Sequence, residues 1–192
     1  MDFLIDLDVD TTKFFEISDA WEKIEKAIIK GIELGEAEFI IRLRDKVLQN
    51  LTKYGLGSSE LAHNITLEKK SDGIAITMGD ADYAIFVEYG TGIIGAENPH
   101  PNPKITWIYS SGENSNGHEG WFYPTIPTDP NPYKHEFNGQ LYAFTKGQKS
   151  RPFMYESWLW GTRSAKNIIN KNIRREVKKV IFTFFICFSK QI

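Results

Sequence analysis

Between Asp19 and about Thr52 the apolar residues recur at helical spacing, as Trp21, Ile24, Ala27 or Ile28, Ile32, then Phe39, Leu43, Val47 and Leu51. About 30 residues of one period exceed the usual globular helix. A helix of that length needs an extended surface to lie on, and a sheet is the expected support. Ser18 stands where an N-cap belongs, and Glu22 falls in the first turns. Gly31 and Gly35 lie in the middle of the run. Each costs about 1 kcal/mol relative to alanine in a helix, so a bend is expected there.

A second helix follows Pro152, which suits a first turn. Its rough apolar face comprises Phe153, Ser157, Trp160, Ile168, Ile169, Ile173 and Val177. Between the two helices the periodicity shortens. Tyr54–Ser59 is a breaker cluster, and Ile65–Lys69 and Ile74–Met78 flank Ser71-Asp72-Gly73 as a hairpin. Tyr83–Tyr89 reads as a short helix closed by Gly90. Residues 93–139 read as an extended Pro/Asn-rich loop, with Pro99, Pro101, Pro103 and the turn Asp129-Pro130-Asn131-Pro132. An aromatic hairpin, Trp121–Pro124 with Leu141–Thr145, forms its base. Trp107, Tyr109, Trp121, Phe122 and Tyr123 suit a mobile arm that orders on assembly, or alternatively the domain's own core. Near the start, Ile5, Leu7 and Val9 alternate with Asp6, Asp8 and Asp10, the pattern of an edge strand with a charged outer face.

The expected fold is therefore α+β: a small, mostly antiparallel sheet packed with two long helices, as one domain over residues 1–180. Residues 181–192 form an apolar tail with no assigned role. With 41% apolar and 14% aromatic residues, a core can form. Lys+Arg of 23 against Asp+Glu of 25 argues against a globally basic nucleic-acid binder. The single cysteine, Cys187, excludes an internal disulfide framework and a cysteine-based zinc site. The first residues lack a positive n-region, so no signal peptide is expected. The apolar run Val180–Phe188 is about half of what a spanning helix needs, so no membrane segment is expected.

Candidates for chemistry are few. His118-Glu119 and His135-Glu136 fail the H-E-x-x-H pattern because Phe122 and Gly139 occupy the second histidine position. His63 and His100 add no ligand spacing. Gly90-Thr91-Gly92 lacks the lysine of a phosphate loop and reads as a helix stop needing positive φ. Cys187 lies in an apolar run, and Ser59, Ser150 and Ser157 lack a nucleophile-elbow context. No enzyme, metal or cofactor is expected. Arg163, Lys166, Lys171, Arg174, Arg175, Lys178 and Lys179 crowd the last helix, with Glu176 the one acid among them. Two readings stand: a solvated face complementing the helix dipole, or a surface for DNA or an acidic partner.

Four stretches together resemble the phage HK97 gp10-like family. They are Tyr83–Gly92, Asn98-Pro99-His100-Pro101, Gly120-Trp121-Phe122-Tyr123 and Thr145–Met154. The family pattern is similar to Y-A-x-x-V-E-x-G-T followed later by R-P-F-M, and both halves stand here in that order. The resemblance implies an α+β structural virion protein of a tailed bacteriophage or prophage. Such proteins are ring-forming neck, head–tail connector or tail-completion subunits; the alternatives are a phage tail-assembly binding module outside the ring, or a metal-dependent nuclease using His118 and His135. The implied partners are further copies of the chain, adjacent head-completion and tail-terminator or tail-tube proteins, and DNA passing through the ring lumen. It also implies location in the virion, after assembly in the host cytoplasm. The resemblance carries over Glu88, Gly90, Thr91, Gly92, Arg151, Pro152 and Phe153 as a structural or subunit-contact motif. Glu88 and Arg151 are expected to pair, within a subunit or between neighbours, Thr91 to bond the local backbone, and Phe153 to anchor the last helix.

Overall fold

A computed structural model describes residues 11–71, 73–79, 81, 83–109 and 119–189. The expected strand Ile5–Val9 and the polar stretch Ser110–Gly117 lie outside them. The chain divides into two compact units, Met1–Arg42 with Gly161–Ile192, and Leu43–Trp160. Neither boundary is a linker, because each falls inside a long helix.

Those helices are α1, Thr11–Lys53, and α5, Phe153–Ser189. Helix α1 starts well before Ser18, which is therefore interior and not a cap. In the first unit the support for α1 is α5, not a sheet. A Cβ on Gly31 would lie 2.5 Å from Ile173 Cα, and one on Gly35 would lie 2.7 Å from Ile169 Cα. The two glycines do not break α1. They face α5 on one side of α1, one turn apart, and let two backbones approach more closely than any side chain allows. Because Gly31 meets Ile173 and Gly35 meets Ile169, the helices run antiparallel.

A polar layer continues this contact. Asn172, 1% exposed, donates to Glu38 Oε2 at 2.8 Å and to Ile168 O at 3.0 Å. Glu176 is 4% exposed and meets Lys179 at 2.6 Å, Arg175 at 3.4 Å and Lys30 at 3.8 Å. The one acid of the basic stretch therefore points inward. The apolar run Val180–Phe188 is a continuation of α5, and Lys23 Nζ sits 5.2 Å from the Phe184 ring centre. No helix among the described residues is long and apolar enough to cross a membrane.

The second unit is α+β, with two small antiparallel sheets in place of one. Val47 and Leu51 on the last turns of α1 join Leu61 and Ala62 of α2 (Glu60–His63), Ile65, Ala81, Ala84, Val87 and Phe153 in one apolar core. The hairpin β1 (Thr66–Lys70) and β2 (Gly73–Thr77) forms as expected, with Leu67 opposite Ile76. So does the short helix α3, Ala84–Tyr89.

Residues 93–139 are more structured than a loop. Helix α4 (Gly92–Glu97) opens the segment. Strand β3 (Trp121–Pro124) pairs with β5 (Gln140–Thr145) as expected, Trp121 opposite Thr145. A third strand, β4 (Lys134–Phe137), pairs with the other side of β5, giving the order β3-β5-β4. The β4–β5 turn is Asn138-Gly139 at φ 49° and 77°, the left-handed pair of a tight hairpin. That dipeptide was the available signal for β4. The last strand, β6, is Gly147–Gln148.

Candidate functional site

The two halves of the sequence motif meet in the second unit. Helix α3 stops at Gly90, φ 80°, whose N–H donates to Phe86 O at 2.9 Å. The chain then extends through Thr91 and runs antiparallel to β6, with Thr91 opposite Gln148 and Gly92 opposite Gly147. Gly92 and Gly147 have φ 61° and 105°. A Cβ on Gly147 would fall within the Thr91 carbonyl, and one on Gly92 would strike the Lys146 carbonyl. Glycine is required at both for conformation and for space.

Hydrogen bonds then join the strands to α3. Gln148 N–H donates to Thr91 Oγ1 at 3.2 Å, so Thr91 serves a strand 57 residues away and not its local backbone. Ser150 Oγ donates to Glu88 O at 2.6 Å, and Arg151 N–H donates to Val87 O at 2.9 Å. Helix α5 begins directly after Pro152, whose carbonyl accepts from Glu156 N–H at 3.0 Å. Phe153, fully buried, anchors α5 in the core as expected. Asn50 donates to Ser157 Oγ at 2.9 Å, and Ser157 passes a proton-donor bond on to Phe153 O at 2.6 Å.

At the centre lies Glu88, 6% exposed. Its Oε2 accepts the N–H of Met154 at 2.9 Å, and its Oε1 accepts that of Tyr155 at 2.9 Å. These are orphan donors of the first turn of α5, where the helix dipole also favours a negative charge. The remaining partner is His100 Nε2, 3.1 Å from Oε1. His100 Nδ1 accepts from Asn102 N–H at 3.2 Å, so in the neutral ring the proton sits on Nε2 and points at Glu88. Tyr89 and Tyr155 pack against the ring with centres 4.8 and 5.1 Å away. Both carboxylate oxygens and both ring nitrogens are engaged, which makes the pair a brace between α3, the Pro-rich segment and α5.

The expected Glu88–Arg151 pair does not form within the chain: the side-chain partner of Glu88 is His100. Arg151 contributes its backbone instead. The signal for His100 was its place between the motif halves, in Asn98-Pro99-His100-Pro101.

The aromatic residues expected to belong to a mobile arm are also committed locally. Trp107 Nε1 donates to Gly90 O at 3.0 Å and its rings stack on Tyr89 at 4.8 Å. Tyr109 Oη accepts from His100 N–H at 3.1 Å. Trp107 and Tyr109 thus fasten the Pro-rich segment onto the brace, which is the own-core reading of these side chains.

The turn Asp129–Pro132 is organised by Asp129, which accepts from Thr125 Oγ1 at 2.5 Å, Asn131 N–H at 2.7 Å and Tyr123 Oη at 3.1 Å. The Thr125 hydroxyl and the Asn131 amide hold its carboxyl below the ordinary range. On one face of the three-stranded sheet, Phe122, His135, Phe137 and Tyr142 line an apolar cleft of about 280 Å³.

The other candidates do not converge. His63 is exposed and bonds Ser59 O at 2.8 Å, and His135 is exposed on β4. His118 and the Cys187 side chain lie outside the described residues. No group of three or more His, Cys, Asp or Glu able to hold a metal ion occurs among the described residues. Comparison with family models, curated proteins and solved structures finds no match.

Proposed function

We propose that this chain is a structural virion protein of a tailed bacteriophage or prophage: a ring-forming neck, head–tail joining or tail-completion subunit. It acts without catalysis or cofactor, and it assembles with copies of itself and with adjacent head-completion and tail-terminator or tail-tube proteins. The observation that carries the reading is the junction itself. The residues of both motif halves meet in one brace of backbone crossings and a buried carboxylate–imidazole pair. Their roles are to hold chain segments together, as a structural subunit requires.

The test is deletion of the gene from the phage or prophage that carries it. Filled heads and separate tails should accumulate, with joining restored by the intact gene supplied in trans. Purified wild-type particles should contain the protein at the neck by immunogold electron microscopy. Absence from particles despite a joining defect would move the role to an assembly module outside the ring. Normal infectious particles without the gene would overturn the proposal.

A further inference from the structure

The net charge of −2 conceals a local asymmetry. Between Gly161 and Phe184, α5 carries seven cations and the single acid Glu176, which is turned inward. The expectation that these cations complement the dipole at the helix end does not hold. Helix α5 continues to Ser189 and has no basic residue in its last turn. The cations lie mid-helix, where the dipole offers them nothing.

Arg163, Asn167, Lys171, Arg174 and Lys178 follow one another at intervals of three or four, so they share one face of α5, and all are exposed. Arg163, Arg174 and Lys178 enter no ion pair among the described residues, while Arg175 and Lys179 are drawn toward Glu176. The stripe is about 22 Å long at 1.5 Å per residue. Over these sixteen residues of helix the face thus presents cations and an amide donor, with the one acid of the span, Glu176, turned inward.

We infer that this face of α5 binds the phosphate backbone of duplex DNA without reading its sequence. A B-form duplex offers one negative charge per about 1.7 Å, so each of the four cations along the stripe has phosphates within reach. Between Arg163 and Lys178 the face carries no aromatic side chain, and the exposed Phe182 stands alone beyond its end, so it lacks the run of stacking platforms that single strands require. A second copy of the chain is a poorer fit. The exposed carboxylates of α1 alternate with Lys23, Lys26 and Lys30, and Glu22 and Glu38 are already paired with Lys26 and Arg42. The inference rests on this charge pattern and not on the virion role, so a failed neck assay leaves it standing.

The experiment is fluorescence anisotropy of the full chain with a short labelled duplex of arbitrary sequence, titrated over a range of salt. Binding at low salt should weaken steeply as salt rises. The triple variant Arg163→Glu, Arg174→Glu, Lys178→Glu should lose at least roughly ten-fold in affinity, with a log–log salt slope shallower by about 2 to 3. The corresponding triple glutamine variant, checked for helicity by circular dichroism, should lose less but in the same direction. Reversal of the exposed Lys146 and Lys149, which lie off this face, should leave binding unchanged. No binding at low salt, equal binding by both triple variants, or tighter binding of polyglutamate or single strands would each overturn the inference. So would salt-reversible self-association that the triple variants abolish while DNA binding persists.

Discussion

In the helical unit two long helices touch where Gly31 and Gly35 leave room for Ile173 and Ile169, and a half-buried Asn172–Glu38 contact continues the seam. In the α+β unit, α3 and α4 have six residues each and β6 has two. Elements that short are marginal alone. They hold because residues about 60 positions apart, Thr91 with Gln148 and Glu88 with Met154, are bonded to one another. Long helices tolerate local loss because each retains its own ladder of hydrogen bonds. A junction of short elements depends on every crossing. Substitutions of similar size should therefore cost more in the α+β unit.

The largest effect is expected at Gly147. Replacement by alanine combines a positive φ with a Cβ placed inside the Thr91 carbonyl. It should cost about 3 kcal/mol or more, or prevent folding of this unit. Gly139→Ala has a similar φ and open space around it, and should cost only about 1 kcal/mol. Urea unfolding followed by tryptophan fluorescence compares the two. Equal costs would show that the crossing is looser than described.

Next is the brace. Glu88→Gln places an amide NH₂ where donors already converge, and should cost about 2–4 kcal/mol. Arg151→Ala should cost less than about 1 kcal/mol, since Arg151 is joined to α3 through its backbone. A double-mutant cycle should find coupling between Glu88 and His100 and none between Glu88 and Arg151. Coupling of Glu88 to Arg151 alone would remove the brace from the account.

In the helical unit, Gly31→Ala should be destabilising by about 1–2 kcal/mol. Overpacking against Ile173 outweighs the gain of about 1 kcal/mol in helix propensity. If the glycine only permitted a bend, the sign would reverse and thermal melting would show a stabilised protein.

The smallest effect concerns acid. Burial pushes the Glu156 carboxyl up, but Lys53 Nζ at 2.8 Å and Tyr54 Oη at 2.7 Å outweigh it and hold the pKa below the ordinary value. In the helical unit the Asn172 amide lowers Glu38, and the Lys179 ammonium lowers Glu176. A depressed folded pKa means that the contribution to stability is complete above the unfolded carboxylate value. It is lost as pH falls through the folded one. Lys53→Ala should cost little stability at neutral pH, less than any substitution above, and raise the Glu156 titration toward the ordinary range by NMR. Its deficit should shrink as pH falls and Glu156 protonates in both proteins. A deficit that persisted in acid would assign it to packing by the lysine stem.

What depends on neighbours in sequence was legible from the residues. The helical period of α1, the alternation around Ser71-Asp72-Gly73, the stop at Gly90 and the pairing of Trp121–Pro124 with Leu141–Thr145 follow from local backbone preference and side-chain direction. Strand β4 was legible too, through Asn138-Gly139, but the prolines around it drew the reading toward a loop. What depends on approach in space was not. Whether Gly31 and Gly35 bend a helix or admit another is decided by the partner surface, and one sequence pattern serves both. Likewise a buried glutamate calls for donors without naming them. The fold brought His100 and the first turn of α5 to Glu88 and left the Arg151 guanidinium outside the pair. The physical reason is that desolvating Glu88 requires donors fixed at hydrogen-bond distance, and helix-end amides and a ring held by its other nitrogen are already fixed, whereas a long arginine side chain must first be ordered.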